Sequence, residues 1–303
     1  MRWVTYTSPD GADRAGLVVN DVVHGLDAPL LNLLGDLAAA GQRARSAPAE
    51  TLPLAEARLR APVPQPPSVR DFLSFEEHAK NACAALGRDV DPVWYSQPVF
   101  YFTNPAAVRG PHDDVPISPG SQRFDYEVEV AAVVGRPGAD LTPAEAEACI
   151  AGYTVFVDWS ARDVQGVESR VGLGPAKGKD GATSLGPLLV TPDELEDRRS
   201  GRGYALAMSA SVNGVHQGGG SWADIHWSFG QMLAYASRGT LLRPGDVVGS
   251  GTVGSGCLLE LSSLHGAEKH PWLQPGDIVT VEIEQLGAVR AKITSATPVI
   301  PLD

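Results

Sequence analysis

Between Phe124 and Val130 apolar and acidic residues alternate one for one, with Phe124, Tyr126, Val128 and Val130 set against Asp125, Glu127 and Glu129. Successive side chains of a strand point to opposite faces. This period therefore predicts a strand with one apolar side toward a core and a row of carboxylates opposite, about 7 Å apart. A second apolar run, Tyr153-Thr-Val-Phe-Val-Asp158, predicts another strand and ends on a fourth acid. Residues 2 to 26 pattern as short strands, with Asp10-Gly11 at a turn and Gly16 to His24 as a hairpin. The period turns helical around Leu30 to Ala40.

Ala61-Pro-Val-Pro-Gln-Pro-Pro-Ser68 then holds four prolines in eight residues, too many for a helix or a central strand. It divides the chain into a small N-terminal α+β domain, residues 1–65, and a larger domain, residues 66–303. In the larger part Ser74 to Leu86 reads as a helix, capped by Ser74 with Glu77 three residues on and ended by Gly87. Thr142 caps a short helix with Pro143 in its first turn. Ser160 is expected to cap a helix through Gln165, and Asp224 one running to about Ser237. Gly218-Gly-Gly220 reads as a hinge or turn. Pro-Gly-Asp turns at 244–246 and 275–277 separate Val- and Ile-rich strands. Many strands with few, short helices predict an α+β fold that is predominantly β and built from packed sheets.

Composition narrows the function classes. At 303 residues the chain can bury a full core, and 43% hydrophobic with 20% charged residues is ordinary for a globular protein. A net charge of −12 argues against a nucleic-acid surface, which needs clustered Lys and Arg. Cys83, Cys149 and Cys257 fit neither a zinc-site spacing nor a disulfide framework, which points to a reducing, cytoplasmic setting. No run is apolar and long enough to span a bilayer, so no membrane partner is expected. The acidic strand and Asp158 give the chemistry: packed carboxylates repel, and a hard divalent cation converts that repulsion into binding. Magnesium is the expected ion, with calcium or manganese as alternatives. Asp125 is expected beside the cage and not as a ligand.

Further motifs come in a fixed order. Asp125-Tyr-Glu-Val-Glu129 is followed by Gly152-Tyr-Thr-Val-Phe-Val-Asp-Trp-Ser-Ala-Arg-Asp-Val-Gln165, then Gly178-Lys179 before Leu185-Gly-Pro187, Val212-Asn-Gly214, and Pro244-Gly-Asp-Val-Val-Gly-Ser-Gly-Thr252. Over most of residues 65 to 300 this series resembles the fumarylacetoacetate hydrolase family. The resemblance implies that family's β-roll of layered mixed sheets, a divalent metal and a homodimer. It also implies hydrolysis of a carbon–carbon bond in a β-diketone or acylpyruvate (a 2,4-dioxo acid), since Arg70 to Asn81 resembles the segment where the hydrolases proper carry a metal-binding Asp and, seven residues later, a general-base His. Here these are Asp71 and His78, and many decarboxylase and isomerase relatives have a Glu where this chain has Asn81.

The resemblance thus implies Asp71, Glu127, Glu129 and Asp158 as metal ligands and His78 with Glu260 as the catalytic pair, Glu260 lying in a late strand, Leu259-Glu-Leu261. It implies Arg162, Gln165, Lys179 and Thr252 as contacts to a small 2-oxo or 2,4-dioxo acid. The chain departs from the family pattern at Val253, where Gly-Thr-Pro is frequent, and at Leu73, where a tyrosine can stand. Decarboxylation or tautomerisation of 2-oxo acids on the same metal site is the alternative enzyme reading, and a metal-binding scaffold the non-enzymatic one. His112, His216, His226, His265 and His270 are expected to be structural or exposed.

Overall fold

The computed structural model describes residues 1–85 and 87–303; Leu86, the expected last residue of the first large-domain helix, lies outside them. The N-terminal region supplies strands β1 (Arg2–Thr7), β2 (Asp13–Val19), β3 (Val22–Leu26), β4 (Glu50–Pro53) and β5 (Arg58–Arg60), with helix α1 (Leu37–Ser46) after a 3-10 turn at Leu30–Asp36. The expected hairpin forms: Val19 pairs with Val22 across Asn20-Asp21, whose φ of 50° and 60° is the left-handed geometry of a tight two-residue turn.

Next come β6 (Val69–Phe72), α2 (Glu76–Ala85), β7 (Phe100–Thr103), β8 (Val108–Arg109), β9 (Val115–Pro116), β10 (Phe124–Val134), α3 (Pro143–Glu147), β11 (Ile150–Ala161), α4 (Arg162–Glu168) and β12 (Thr183–Val190). The last third adds β13 (Arg199–Ser200), β14 (Gly203–Tyr204), β15 (Ala207–Val212), β16 (Val215–Ser221), α5 (Phe229–Ala236), β17 (Val247–Gly249), α6 (Leu258–His265), β18 (Ile278–Ile283) and β19 (Gly287–Thr294).

One twelve-stranded mixed sheet runs β4-β3-β2-β1-β12-β11-β10-β17-β6-β7, with β5 and β8 attached to β1 and β12. A five-stranded sheet, β16-β15-β18-β19-β9, packs against it. The fold is α+β and predominantly β, as expected. The N-terminal strands join the large sheet through β1 and β12, where Arg2 pairs with Val190 and Trp3 with Leu189.

Strands β10 and β11 form the center of this architecture, and every residue of both is buried. Tyr126, Val128 and Val130 face the core shared with the second sheet. Asp125, Glu127 and Glu129 point to the other face, which is equally dry; a solvated row of acids is excluded. Because an unpaired ion costs several kcal/mol to bury, this face has to supply counter-charges.

Several local expectations are corrected. Leu259-Glu-Leu261 belongs to helix α6, because the carboxylate of Asp125 accepts from the Leu258 and Leu259 N–H groups (2.8 and 3.0 Å) and so caps a helix that starts 133 residues later. Ser160 caps nothing, since β11 continues through Ala161 and α4 begins at Arg162. Helix α5 is capped not by Asp224 but by Ser228, whose hydroxyl accepts from Gln231 N–H while the Gln231 side chain accepts from Ser228 N–H. The Ser74 hydroxyl donates to the Ser250 carbonyl, so Phe75, whose carbonyl accepts from Ala79 N–H, starts α2 instead. Gly218-Gly-Gly220 lies within β16, where a Cβ at Gly219 would sit 2.0 Å from the Met208 carbonyl oxygen. The Thr142 cap and Pro143 are as expected, and form a full capping box with Glu145.

Candidate active site

The antiparallel register of β10 and β11 sets Glu127 directly opposite Asp158. Parallel pairing of β6 with β17 sets Asp71 opposite Gly249, and β17 also pairs with β10 beyond Glu129. Three strands distant in sequence thus bring Asp71, Glu127, Glu129 and Asp158 together, with one oxygen of each within 4.8 Å of all the others. Gly249 is required by this approach. A Cβ there would meet Asp71 Oδ1 at 2.6 Å and Glu129 Oε2 at 3.1 Å, inside the cage. The Gly251 N–H donates to Glu129 Oε2 (2.9 Å) and Asp71 Oδ1 (3.2 Å).

Two cations meet these acids. Arg162 donates from Nε to Asp125 Oδ2 and from Nη2 to Glu127 Oε1, each at 2.8 Å, and the buried Lys179 ammonium bonds Glu127 and Asp158, the latter at 2.8 Å. The groups respond unequally. Burial raises Glu127, but Arg162 and Lys179 outweigh it and hold that carboxyl well below its usual range. Burial, reinforced by neighboring acids, pushes Glu129 and Asp158 well above it, and Asp71 upward as well. Burial also opposes the charge of Lys179, yet Asp158 and Glu127 raise its pKa above the ordinary lysine value.

The donor set fits a hard divalent cation. It is oxygen-only, and among the described residues two cations face five carboxylates once Asp125 is counted, and Asp158 Oδ1 is buried with no hydrogen-bond partner. Asp71, Glu127, Glu129 and Asp158 are the residues that would hold it.

Tyr101 escaped the sequence reading. It lies directly opposite Asp71 in the β6–β7 register, its hydroxyl 3.0 Å from Asp71 Oδ2 and bonded also to Asp158. Burial first, then Asp158 and Asp71, raise its pKa well above the phenol value, so it remains a neutral donor.

Beside the cage, His78 Nδ1 lies 2.6 Å from Glu260 Oε1. The other Glu260 oxygen accepts from Asn81 Nδ2 (2.7 Å) and Ser255 N–H (3.0 Å). Burial alone would raise Glu260, but the hydrogen bond and charge of His78, with Asn81 and Ser255, keep its pKa below the usual carboxylate value. Cys257, with Sγ 3.5 Å from Glu260, has its thiol pushed up by burial. Asn81 was noted in the sequence only as a missing Glu; its contact with Glu260 comes from α2 packing on α6.

A cavity of about 920 Å³ opens over both groups. Asp71, His78, Glu127 and Glu129 line it, as do Arg162, Gln165, Lys179 and Thr252. Asp158 and Glu260 sit behind the lining, each touching a residue that reaches it. Gln165 Oε1 accepts from Arg162 Nη1 at 3.3 Å, consistent with their shared helix face. The remaining expected site residue, Thr252, has its hydroxyl 3.5 Å from Glu129 Oε1. The arrangement sets an oxygen-donor cage, two buried cations and one imidazole around a single cavity.

Comparison with known proteins places the chain in a family. The family model described as fumarylacetoacetate (FAA) hydrolase C-terminal matches residues 68–294. An oxaloacetate tautomerase, mitochondrial, of Homo sapiens is 32% identical over 257 residues, 83% of this chain and 74% of that protein. The solved fumarylacetoacetate hydrolase of Exiguobacterium antarcticum is 27% identical with a TM-score of 0.72, covering 97% of this chain and 99% of that one. A maleylpyruvate hydrolase from Sphingobium sp. SYK-6, 20% identical with a TM-score of 0.73, shares the fold over 98% of this chain and all of its own.

Proposed function

The chain belongs to the fumarylacetoacetate hydrolase family, and from that membership we propose that it is a metal-dependent hydrolase cleaving a carbon–carbon bond in an acylpyruvate or related 2,4-dioxo acid. The observation carrying this reading is the His78–Glu260 pair, closed at 2.6 Å at the edge of the carboxylate cage and in one cavity with it.

In this reading His78 takes a proton from water as the water oxygen bonds to the carbonyl carbon under attack. Glu260 accepts from Nδ1, which leaves Nε2 as the basic nitrogen, and it stabilizes the imidazolium that forms. The carbon–carbon bond then breaks, its electron pair leaves as an enolate, and the proton held by His78 returns to the departing carbon. Arg162 and Gln165 hold the substrate's carboxylate, while Lys179 and Thr252 contact the oxygen that gains charge. A divalent ion at Asp71, Glu127, Glu129 and Asp158, magnesium in this proposal, would supply Lewis acidity and a template for the two dicarbonyl oxygens. Fixed charge in a dry site outweighs the roughly 10²–10⁴-fold given by proton transfer alone. The boundary at residues 65/66, the homodimer and the cytoplasmic setting belong to the same proposal.

Tautomerisation of a 2-oxo acid is the second reading, favored by the 32% identical oxaloacetate tautomerase. It moves a proton between carbon and enol oxygen, with no water added. A panel of 2,4-dioxo acids and oxaloacetate, assayed with added metal by loss of enol absorbance and by product identification, separates the two. Two acid products from one dioxo acid support hydrolysis; an enol–keto change with the carbon skeleton intact supports tautomerisation.

A further inference from the structure

Away from the carboxylate cage, the cavity of about 920 Å³ has two chemically different sides. In the large sheet β10 and β17 separate β11 from β6 and β7, so the segments around these strands border the cavity from different directions. Helix α4, which follows β11, and the turn after it bring Arg162, Gln165, Ser169 and Arg170. The segment from β6 to β7 brings Leu73, Ala82, Cys83, Val99 and Phe100, each only partly buried and so with surface left free. Leu73 and Val99 adjoin, since the Leu73 N–H donates to the Val99 carbonyl at 3.3 Å, and the Phe100 ring is held against Phe72 with centroids 5.0 Å apart.

His78 fixes which end of a substrate meets which side. In the proposed hydrolysis the substrate's carboxylate lies with Arg162 and Gln165, and water adds to the acyl carbonyl beside His78. Ala82 follows His78 by four residues on α2 and so shares its helix face. The group attached to that carbonyl therefore extends over Ala82 and Cys83 toward Leu73 and Val99. Small side chains at 82 and 83 leave room for it, and the volume is in the roughly 300–1,000 Å³ range of sites for drug-sized ligands. Among the described residues Arg88 is the only Lys or Arg that this segment gives to the cavity, and it is exposed. A carboxylate set against Leu73 and Val99 would lose water and gain no buried partner, whereas an alkyl chain or ring gains by leaving water.

We propose that the substrate's acyl group is apolar, an alkyl chain or a single aromatic ring without a second carboxylate, and that Leu73 and Ala82 set this preference. The inference rests on the hydrolase reading for the orientation of the substrate. Its test reads binding, so that the two fail separately.

Calorimetric titration of the full chain with magnesium uses three 2-oxo acids that lack the carbonyl under attack. These are 2-oxo-4-phenylbutanoate, 2-oxoglutarate, which has a carboxylate in place of the ring, and 2-oxobutanoate, which has neither. The phenyl compound is expected to bind about tenfold or more tighter than 2-oxoglutarate. Ala82→Leu, which puts a good helix former in α2, should weaken the phenyl compound by about tenfold and leave 2-oxobutanoate unchanged. Leu73→Arg should reverse the preference toward 2-oxoglutarate. If Leu73→Arg does not fold, Ala82→Leu alone decides. Wild type binding 2-oxoglutarate as tightly as the phenyl compound would overturn the proposal, and weakening of that binding in Arg88→Ala would assign the acyl group a carboxylate at Arg88. Unchanged phenyl affinity in Ala82→Leu would overturn it equally by placing the ring elsewhere. The phenyl preference without cleavage of 4-phenyl-2,4-dioxobutanoate would contradict the hydrolase reading and support the apolar acyl site.

Discussion

His78 Nδ1 and Glu260 Oε1 stand 2.6 Å apart although 182 residues separate them in the chain. Helix α6 makes this possible, and α6 in turn starts where Asp125 caps Leu258 and Leu259. One acid of the β10 row therefore positions the helix that carries Glu260, while the next two belong to the cage.

Glu260 carries a pH signature. Its folded pKa is below the ordinary value, so its contribution to stability is complete above the unfolded pKa of about 4.3 and is lost as pH falls through the folded value. Urea denaturation between about pH 6 and pH 3 should show wild type losing stability more steeply than Glu260→Gln over this acid range. Parallel curves would mean that Glu260 is not held ionized by His78, Asn81 and Ser255.

Asn81 keeps Glu260 in register by a neutral donor, which adds no second carboxylate beside the imidazole. Asn81→Ala removes a hydrogen bond to a charged group, worth about 1.5–3 kcal/mol, and turnover should fall with KM nearly constant. Asn81→Asp should be worse, since two carboxylates would then share one buried site. Equal activity in wild type and Asn81→Asp would contradict this role.

Metal uptake should release protons. Burial and neighboring acids raise Glu129 and Asp158, and a cation, which favors the ionized carboxylates, is expected to displace protons from them. Affinity should rise with pH, and the calorimetric heat should vary with the buffer's ionization enthalpy. Glu127→Ala and Asp158→Ala should each weaken binding, and chelation should abolish activity and lower Tm. Full activity after metal removal verified by elemental analysis would contradict the metal assignment.

Tyr101 donates to the cage as a neutral phenol. Tyr101→Phe should keep the fold and shift metal affinity, because Asp71 and Asp158 lose a buried donor without loss of charge. Calorimetric affinity identical to wild type would remove Tyr101 from the site.

Three acids of the cage were legible because their logic is local: a period of two placed Glu127 and Glu129 on one face, and Asp158 closed the next strand, whereas Asp71 came only from the family resemblance. What stayed hidden depends on contacts across the fold. Tyr101 reaches Asp71 only through the β6–β7 register, and Glu260 sits on a helix capped by a residue of another strand. A short apolar run such as Leu258 to Leu261 fits helix or strand equally well, so the distant cap decides it. Ser160 and Ser74 looked like caps by residue type, but strand pairing and the Ser250 carbonyl claimed them. The family motifs led to His78, Arg162, Gln165 and Lys179, whose meeting in one cavity no local period could show.

The most direct measurement is the turnover of His78→Ala on the best 2,4-dioxo acid, with metal affinity and substrate-analogue binding measured on the same protein. If His78 activates water, turnover falls by about 10²–10⁴-fold while both affinities stay near wild type. Near wild-type turnover, with the two acid products still formed, would contradict the hydrolytic role of the His78–Glu260 pair.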